Sequence, residues 1–584
     1  MFSTPAIPRA LPRFWGAVVS LVLLSQVSSI QSKSDNEYDI VIVGGGTAGA
    51  VLAKRLTEGT LFSVLVIEAG YEVSYKSELP ALFPSLIRTR YDWNFTSEEY
   101  SLNNYNISKP IIKPSMDVTS GCALGGSSSI GHFMYTHGCP GDYNTWAKIT
   151  NNSIWKYFNV LPYFKKSERL EDPSILYSPY RMFHGTKGFL GVTKQNSSRI
   201  LRNYLESFLE AGNPVILDSS GVDPFGYSLQ LFAIAEGIRQ STAYLLQGKN
   251  KRPNLTVLTN IFVTKIILDE NNNAIGVTAV TRKGEALTFL AKKEVIVTAG
   301  SFNTPKLLLL SGIGPRQHLE SLNISVRSDL PVGWNLQDHL LLPLGFKMEK
   351  SNKPKLPINP HELPFSLFSG YVALNKSSVC PEYQSINIAG TQNASDIVIL
   401  CEALGSSMEF CQKLSLEERN VLLTIITLLH PKSRGNVSLR SADPKDPPVI
   451  FLGTYTDERD MHDVLNYIED YIRVLNTTYF KNVGAELINF NVTQCADYEF
   501  ATREYWKCYI PLTTGTIYHY LGTCSMGAVV DGEGRVYNIK KLRIADASIM
   551  PTQISANIMS AVIMIAEVIA EKIKQEYCDA KICL

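Results

Sequence analysis

The sequence predicts an α/β protein of two interleaved units, one built on a parallel sheet and the other on a mainly antiparallel sheet with helices. Two observations carry that class and a third sets its scale. In YDIVIVGGGTAGAVLAKRLTE, residues 38–58, a continuous apolar run from Ile40 to Val43 passes through a glycine turn into a helical pattern from Ala50 to Leu56. An uninterrupted apolar run is what a parallel strand buried on both faces looks like. Segments between 341 and 510, such as FSGYVAL and HPKSRGNVSLRS, have the pattern of antiparallel strands. At 584 residues the chain is too long for one simple core and can bury a large interior.

The N-terminal unit is justified residue by residue. Gly44, Gly46 and Gly49 stand at GxGxxG spacing, with Thr47 and Ala48 between the last two as further candidate cofactor-binding residues. The first glycine permits a tight turn, the second lets backbone approach a pyrophosphate, and the third lets helix pack on strand. Phosphates then sit at the positive end of the helix. A second apolar run, Phe62 to Ile67, ends in Glu68, about 20 residues past the glycines, where an acid holds the adenosine ribose hydroxyls. A carboxylate there disfavours a 2′-phosphate, so this Rossmann-like unit is expected to take FAD or NAD rather than NADP. The motif does not choose between those two.

Composition narrows the setting. A net charge of +1, with no long basic run, gives no electrostatic footprint for nucleic acid. Arg9 and Arg13 precede an apolar run from Phe14 to Leu24 and a small polar stretch, the grammar of a signal peptide over residues 1–30. That run is about half of the ~20 residues a spanning helix needs, and the late apolar stretch Ile558 to Ile573 is interrupted by Glu567 and Glu571. The expectation is a secreted protein without stable membrane insertion. N-glycosylation triplets at Asn94, Asn106, Asn151, Asn196, Asn254, Asn323, Asn375, Asn393, Asn436, Asn476 and Asn491 agree with secretion. So do ten cysteines, some of which should pair in an oxidising compartment. There is no CxxC pair, and the Cys/His spacings do not fit a zinc site, so no metal is expected.

Near the C-terminus, TIYHYLGTCSMG at 516–527 places His519 between two tyrosines. From those residues alone it could be a core histidine, a metal ligand or a catalytic base. Further stretches carry a resemblance: LGGSSSI at 124–130, DYNTWAK at 142–148, KEVIVTAGSFNTPKLLLLSGIGP at 293–315, LPVGWNLQDH at 330–339 and LRIADASIMPTQISANIMSAVIMIAE at 542–567. With the glycine turn and the His519 stretch, they resemble the glucose/methanol/choline (GMC) family of FAD-dependent oxidoreductases from about Tyr38 to the C-terminal helix.

The resemblance implies an FAD-binding region over 36–340 with interleaved substrate-domain segments, a substrate-binding domain over 341–510, and a segment at 511–580 that returns to the FAD domain. It implies that Leu124, Gly125, Gly126, Ser127 and Ser128 form a loop against the flavin, that Val263 meets the adenine through its backbone, and that Asp546 contacts the ribityl and diphosphate region. Asp546 as a plain helix N-cap is the alternative. It implies His519 as the base that takes the hydroxyl proton of an alcohol, with Asn557 as a hydrogen-bond donor to the substrate oxygen. The alcohol would be a sugar or a bulky apolar one such as an ecdysteroid, and oxygen or a quinone would take the electrons. His132, His137, His184, His339 and His430 are expected to be structural or surface residues.

Two departures stand out. Gly131 occupies the place of a usual Asn, and Ile130 the place where some members carry a flavin-linking histidine, so FAD is expected to be non-covalent. Tyr520 replaces a usual proline and restores a backbone N–H beside the base. A redox-neutral hydroxynitrile lyase on the same fold, or a flavin protein with weakened turnover, are the competing expectations.

Overall fold

The computed structural model describes residues 36–102, 111–195, 199–348, 359–390, 401, 408–415 and 419–578. The expected signal peptide and the triplets at Asn106, Asn196 and Asn393 lie outside the described residues.

The first sheet is assembled from three distant parts of the chain. Strand Glu37–Val43 pairs in parallel with Val64–Ile67 on one side and with Ala286–Val297 on the other. Leu255–Leu258 extends the first side and Leu542–Ile544 pairs in parallel with Val295 to Val297. Ile40, Val41, Ile42, Val295, Ile296 and Val297 are all fully buried, which is why these strands read as unbroken apolar runs. The beginning of Ala286–Val297 turns instead into an antiparallel meander with Ala274–Thr281 and Ile261–Leu268. Helices Thr47–Thr57 and Met559–Tyr577 pack on each other. Glu567, the acid that interrupts the late apolar stretch, is fully buried between them. It accepts from Arg55 Nε at 2.8 and 2.9 Å and from Ser167 Oγ at 2.6 Å, so it anchors the helix rather than exposing it. No helix among the described residues is long and apolar enough to cross a membrane.

The second sheet is antiparallel throughout. Its strands run in the order 226–229, 366–372, 383–390, 421–428, 340–347 and 486–487, with 515–516 also pairing on 340–347. FSGYVAL supplies most of the second of these. HPKSRGNVSLRS does not join them: Gly435–Ser438 forms a separate three-stranded sheet with Trp334–Leu336 and Val449–Phe451. Pro431 lacks the N–H that would continue the ladder of Val421–Leu428 beyond its end. Both faces of the large sheet are buried, with period-2 alternation. Asn387 and Thr424 face helix Glu458–Tyr471 and bond the Tyr471 hydroxyl at 2.5 and 2.8 Å. Ile386, Ile388 and Ile425 point the other way, toward the cavity between the sheets.

Three disulfides close among the described residues, Cys139–Cys380, Cys401–Cys411 and Cys495–Cys508, and Cys578 is also bonded. The first ties the segment after strand Met134–Tyr135 to the turn between strands 366–372 and 383–390. Cys524 is free and buried, and burial pushes its thiol up, out of the range of a reactive thiolate. The triplet at Asn254 is committed to the fold: its amide donates to the Thr57, Thr60 and Phe62 carbonyls, bonds that a glycan on that nitrogen would break.

His184 is structural, and it is charged. Its Nδ1 lies 2.7 Å from Glu168 and its Nε2 2.9 Å from Asp218, all three side chains being buried. Burial disfavours its charge, but the two carboxylates outweigh it and hold its pKa at about 10. A raised folded-state pKa gives stability that is complete below the unfolded value and is lost as pH rises through the folded one. The unfolding free-energy difference between the wild-type chain and His184→Gln is therefore expected to shrink between the ordinary 6.5 and about pH 10. Urea denaturation at a series of pH values measures it; a difference that stays flat across that window would show the ring to be neutral.

Candidate active site

A continuous cavity runs from the glycine turn to the inner face of the second sheet. At its nucleotide end the wall includes Gly44, Gly46, Thr47, Ala48, Glu68, Gly126, Ser127, Ser128, Val263 and Asp546. Helix Thr47–Thr57 begins at Gly46 without a side-chain cap, so its first N–H groups are available to a ligand phosphate. Gly49, Leu124 and Gly125 are not on the wall but support it. A Cβ on Gly49 would lie 1.9 Å from the Gly44 oxygen, so only glycine lets the helix pack there. Gly126 has φ +53°, and a Cβ on it would lie 2.8 Å from Gly46 Cα. The 124–128 loop is thus pressed directly onto the glycine turn, with Gly125 N–H donating to the Gly45 oxygen at 2.8 Å.

The two acids at this end already have partners. Glu68 accepts from Gly45 N at 2.8 Å and Gly70 N at 2.7 Å, and burial pushes its carboxyl up to about 7 against those bonds. Asp546 accepts from Gly300 N and Thr304 Oγ1 on one oxygen, and from Ser548 N and Oγ on the other. It therefore caps the turn Ala547–Ile549, as the plain N-cap reading has it, and also lies on the cavity wall. The cradle, the uncapped helix start and the acid at the end of the second strand fit a dinucleotide such as FAD.

At the other end His519, 9% exposed, is held on four sides. Its backbone N–H donates to Asp338 Oδ1 at 3.0 Å and its carbonyl accepts from Gln553 Nε2 at 2.9 Å. Its Nε2 is 3.3 Å from Asn557 Nδ2, and its Nδ1 is 2.8 Å from His339 Nδ1. The three consecutive residues of LQDH act as a clamp on this segment. Gln337 exchanges backbone bonds with Leu521 and accepts from Gln553 N at 3.2 Å, while Asp338 and His339 take His519 itself. Burial holds the Asp338 carboxyl up at about 7. Burial also drives the His519 ring well below the ordinary 6.5, with His339 and His132 adding to it, so the ring is neutral at physiological pH.

His339, expected to be a structural or surface residue, is buried and in contact with His519. Its only sequence signal is an Asp-His pair placed immediately before the apolar run Leu340 to Phe346. His132 also lies on the cavity wall, stacked on Tyr518 with interplanar angle 3°. His430 pairs with Asp142 at 2.8 Å and His137 is buried beside Glu168. Arg239 is a further residue that sequence reasoning missed. It donates to the Ser77, Ser128 and Gly131 carbonyls and sits 3.8 Å from the Phe133 ring. It fixes the loop through backbone at the place where Gly131 stands for the usual Asn. Tyr520 is buried on the wall with its ring 4.6 Å from Phe302.

The cavity wall on the side of the second sheet and its surroundings is mainly apolar. Phe83, Phe232, Phe365, Leu367, Ile386 and Ile425 contribute to it.

Comparison with known proteins agrees with this architecture. The sequence profile of the GMC oxidoreductase family matches residues 38–341 with its N-terminal part and 431–566 with its C-terminal part. An ecdysone oxidase of Spodoptera littoralis is 35% identical over 97% of this chain and 96% of its own length. A glucose dehydrogenase [FAD, quinone] of Drosophila pseudoobscura pseudoobscura is 33% identical over 92% of this chain and 87% of its own. Among solved structures, pyridoxine 4-oxidase from Mesorbium loti superposes with TM-score 0.78 at 26% identity, over 92% of this chain and all of its own (100%).

Proposed function

The chain belongs to the GMC oxidoreductase family and is an FAD-dependent oxidoreductase acting on alcohols, and from that premise we propose that its substrate is a bulky, largely apolar alcohol. One observation carries the choice: beyond His519 and Asn557 the cavity is closed by phenylalanine, leucine and isoleucine side chains. A sugar placed there would lose the water bound to its hydroxyls and find little beyond the His132 ring to replace it. A polycyclic alcohol such as an ecdysteroid would bury its skeleton against the wall and present one hydroxyl to the polar pair.

His519 then accepts the hydroxyl proton at Nε2, which a ring kept neutral by burial can do. Asn557 Nδ2, 3.3 Å from that nitrogen, donates to the substrate oxygen and holds it in register. FAD, when bound, supplies the acceptor for the carbon-bound hydrogen. Gly44, Gly46, Thr47, Ala48, Glu68, Gly126, Ser127, Ser128, Val263 and Asp546 would hold it, with Gly49, Leu124 and Gly125 supporting that wall. Ile130 offers no nucleophile at the position of covalent attachment, which favours non-covalent binding, and oxygen or a quinone would re-oxidise the flavin. The disulfides favour an oxidising compartment, in keeping with secretion.

The test is anaerobic: the purified flavoprotein is mixed with a polycyclic alcohol, an aryl alcohol or glucose, and flavin absorbance is followed. Bleaching by the apolar alcohols but not by glucose is the expected result. Bleaching by glucose alone would overturn the substrate class, and cyanohydrin cleavage without bleaching would replace oxidation by lyase chemistry.

A further inference from the structure

The bonds around His519 fix more than its position. A carbonyl oxygen can only accept, and the Leu429 carbonyl lies 3.0 Å from His339 Nε2. That nitrogen therefore carries the proton, and in a neutral ring His339 Nδ1 is left with a bare lone pair. His519 Nδ1, 2.8 Å away, must be the donor of the bond between the two rings. A neutral His519 with its proton on Nδ1 has a lone pair on Nε2, the nitrogen 3.3 Å from Asn557 Nδ2.

We infer that His339 is a positioning residue that sets the tautomer of His519, keeping the proton on Nδ1 and leaving Nε2 free to accept a proton from the substrate hydroxyl. The reverse assignment would set the His339 Nε2 lone pair against the Leu429 carbonyl and put the His519 proton on Nε2, where it blocks proton acceptance. Burial supports the neutral pair, since it holds His339 at about 3 and His519 well below 6.5. In the reaction the O–H bond of the alcohol breaks, its proton goes to His519 Nε2, and Nδ1–H stays bonded to His339. Leu429 directly follows strand Val421–Leu428, which also supplies Ile425 to the cavity wall. The proton state of the base is thereby set from the substrate-binding sheet. The inference rests on the reading of His519 as the base.

Its test uses the holoenzyme labelled with ¹⁵N-histidine, nine residues in all, with the His519 signals identified by their loss in His519→Ala. The wild-type enzyme is expected to show His519 protonated at Nδ1. His339→Phe keeps a ring but removes the acceptor. It should move that proton to Nε2 and slow anaerobic flavin reduction at saturating alcohol by about 10²-fold or more, with little change in substrate Kd. His339→Asn returns an acceptor oxygen and should restore the Nδ1–H form and most of the rate. An Nε2–H tautomer in the wild type, or a His339→Phe enzyme with unchanged tautomer and rate, would overturn the inference. If His339→Phe does not fold, the wild-type spectrum and His339→Asn still decide. An unchanged reduction rate in His519→Ala would instead remove the base itself, while leaving the measured tautomer standing.

Discussion

His519→Ala is expected to retain bound flavin with a nearly unchanged absorption spectrum and to reduce it with alcohol about 10²-fold or more slowly, the usual range for loss of a general base. Flavin retention follows from the geometry, because the residues around the nucleotide end of the cavity do not depend on this ring. The pH dependence separates a base from a mere wall residue. The His519 pKa is lowered, chiefly by burial, so the neutral ring persists below the ordinary histidine value. The rate of flavin reduction in the wild type should therefore stay level as pH falls through 6.5, with its acid limb lying below that value. Stopped-flow reduction over a pH series reads both effects, and a full rate in the alanine variant would mean that another group takes the proton.

Arg543→Ala should lower the unfolding free energy by about 3–5 kcal/mol, the range for stranding one member of a buried ion pair. Arg543 is fully buried, and its Nε lies 2.8 and 3.0 Å from the two oxygens of Glu294. Burial already pushes the Glu294 carboxyl up in spite of Arg543, and without it the one remaining side-chain partner among the described residues is the Tyr577 hydroxyl at 3.1 Å. Adding Glu294→Leu should recover most of the loss, since an apolar side chain leaves no charge to strand. Guanidinium denaturation of the single and double variants forms the cycle; equal losses in both would assign the effect to packing and to the other Arg543 partners, the Glu533 carbonyl and the Glu576 carboxylate.

What could be read from the sequence divides along a physical line. The glycine turn, the buried strand before it and Glu68 are contiguous, and their chemistry is local, so the residues state it directly. The alternation of Ile386 and Ile388 with Asn387 belongs to the same class, because period 2 survives in a one-dimensional string. His339 and Arg239 do not announce themselves. Each acts across more than 100 residues, through a ring nitrogen or through carbonyls, and backbone acceptors have no side-chain signature. Asp546 shows why a choice between capping and cavity lining is unsafe from sequence: a carboxylate with two oxygens caps a turn and lies on the wall at once.

The pairing of Leu542–Ile544 with Val295 to Val297 also dictates a timetable. During synthesis strand Glu37–Val43 is made long before this partner, and its sheet stays incomplete until residues 542–544 follow. The two short disulfide loops, spanning separations of 10 and 13 residues, can close on newly made segments, whereas Cys139 must wait 241 residues for Cys380. His519 and Asn557 arrive in the same late stretch as the missing strand. The cofactor cradle and the proton-accepting pair are therefore completed by one and the same stretch, and a nascent chain stalled before residue 542 would lack both the completing strand and Asn557.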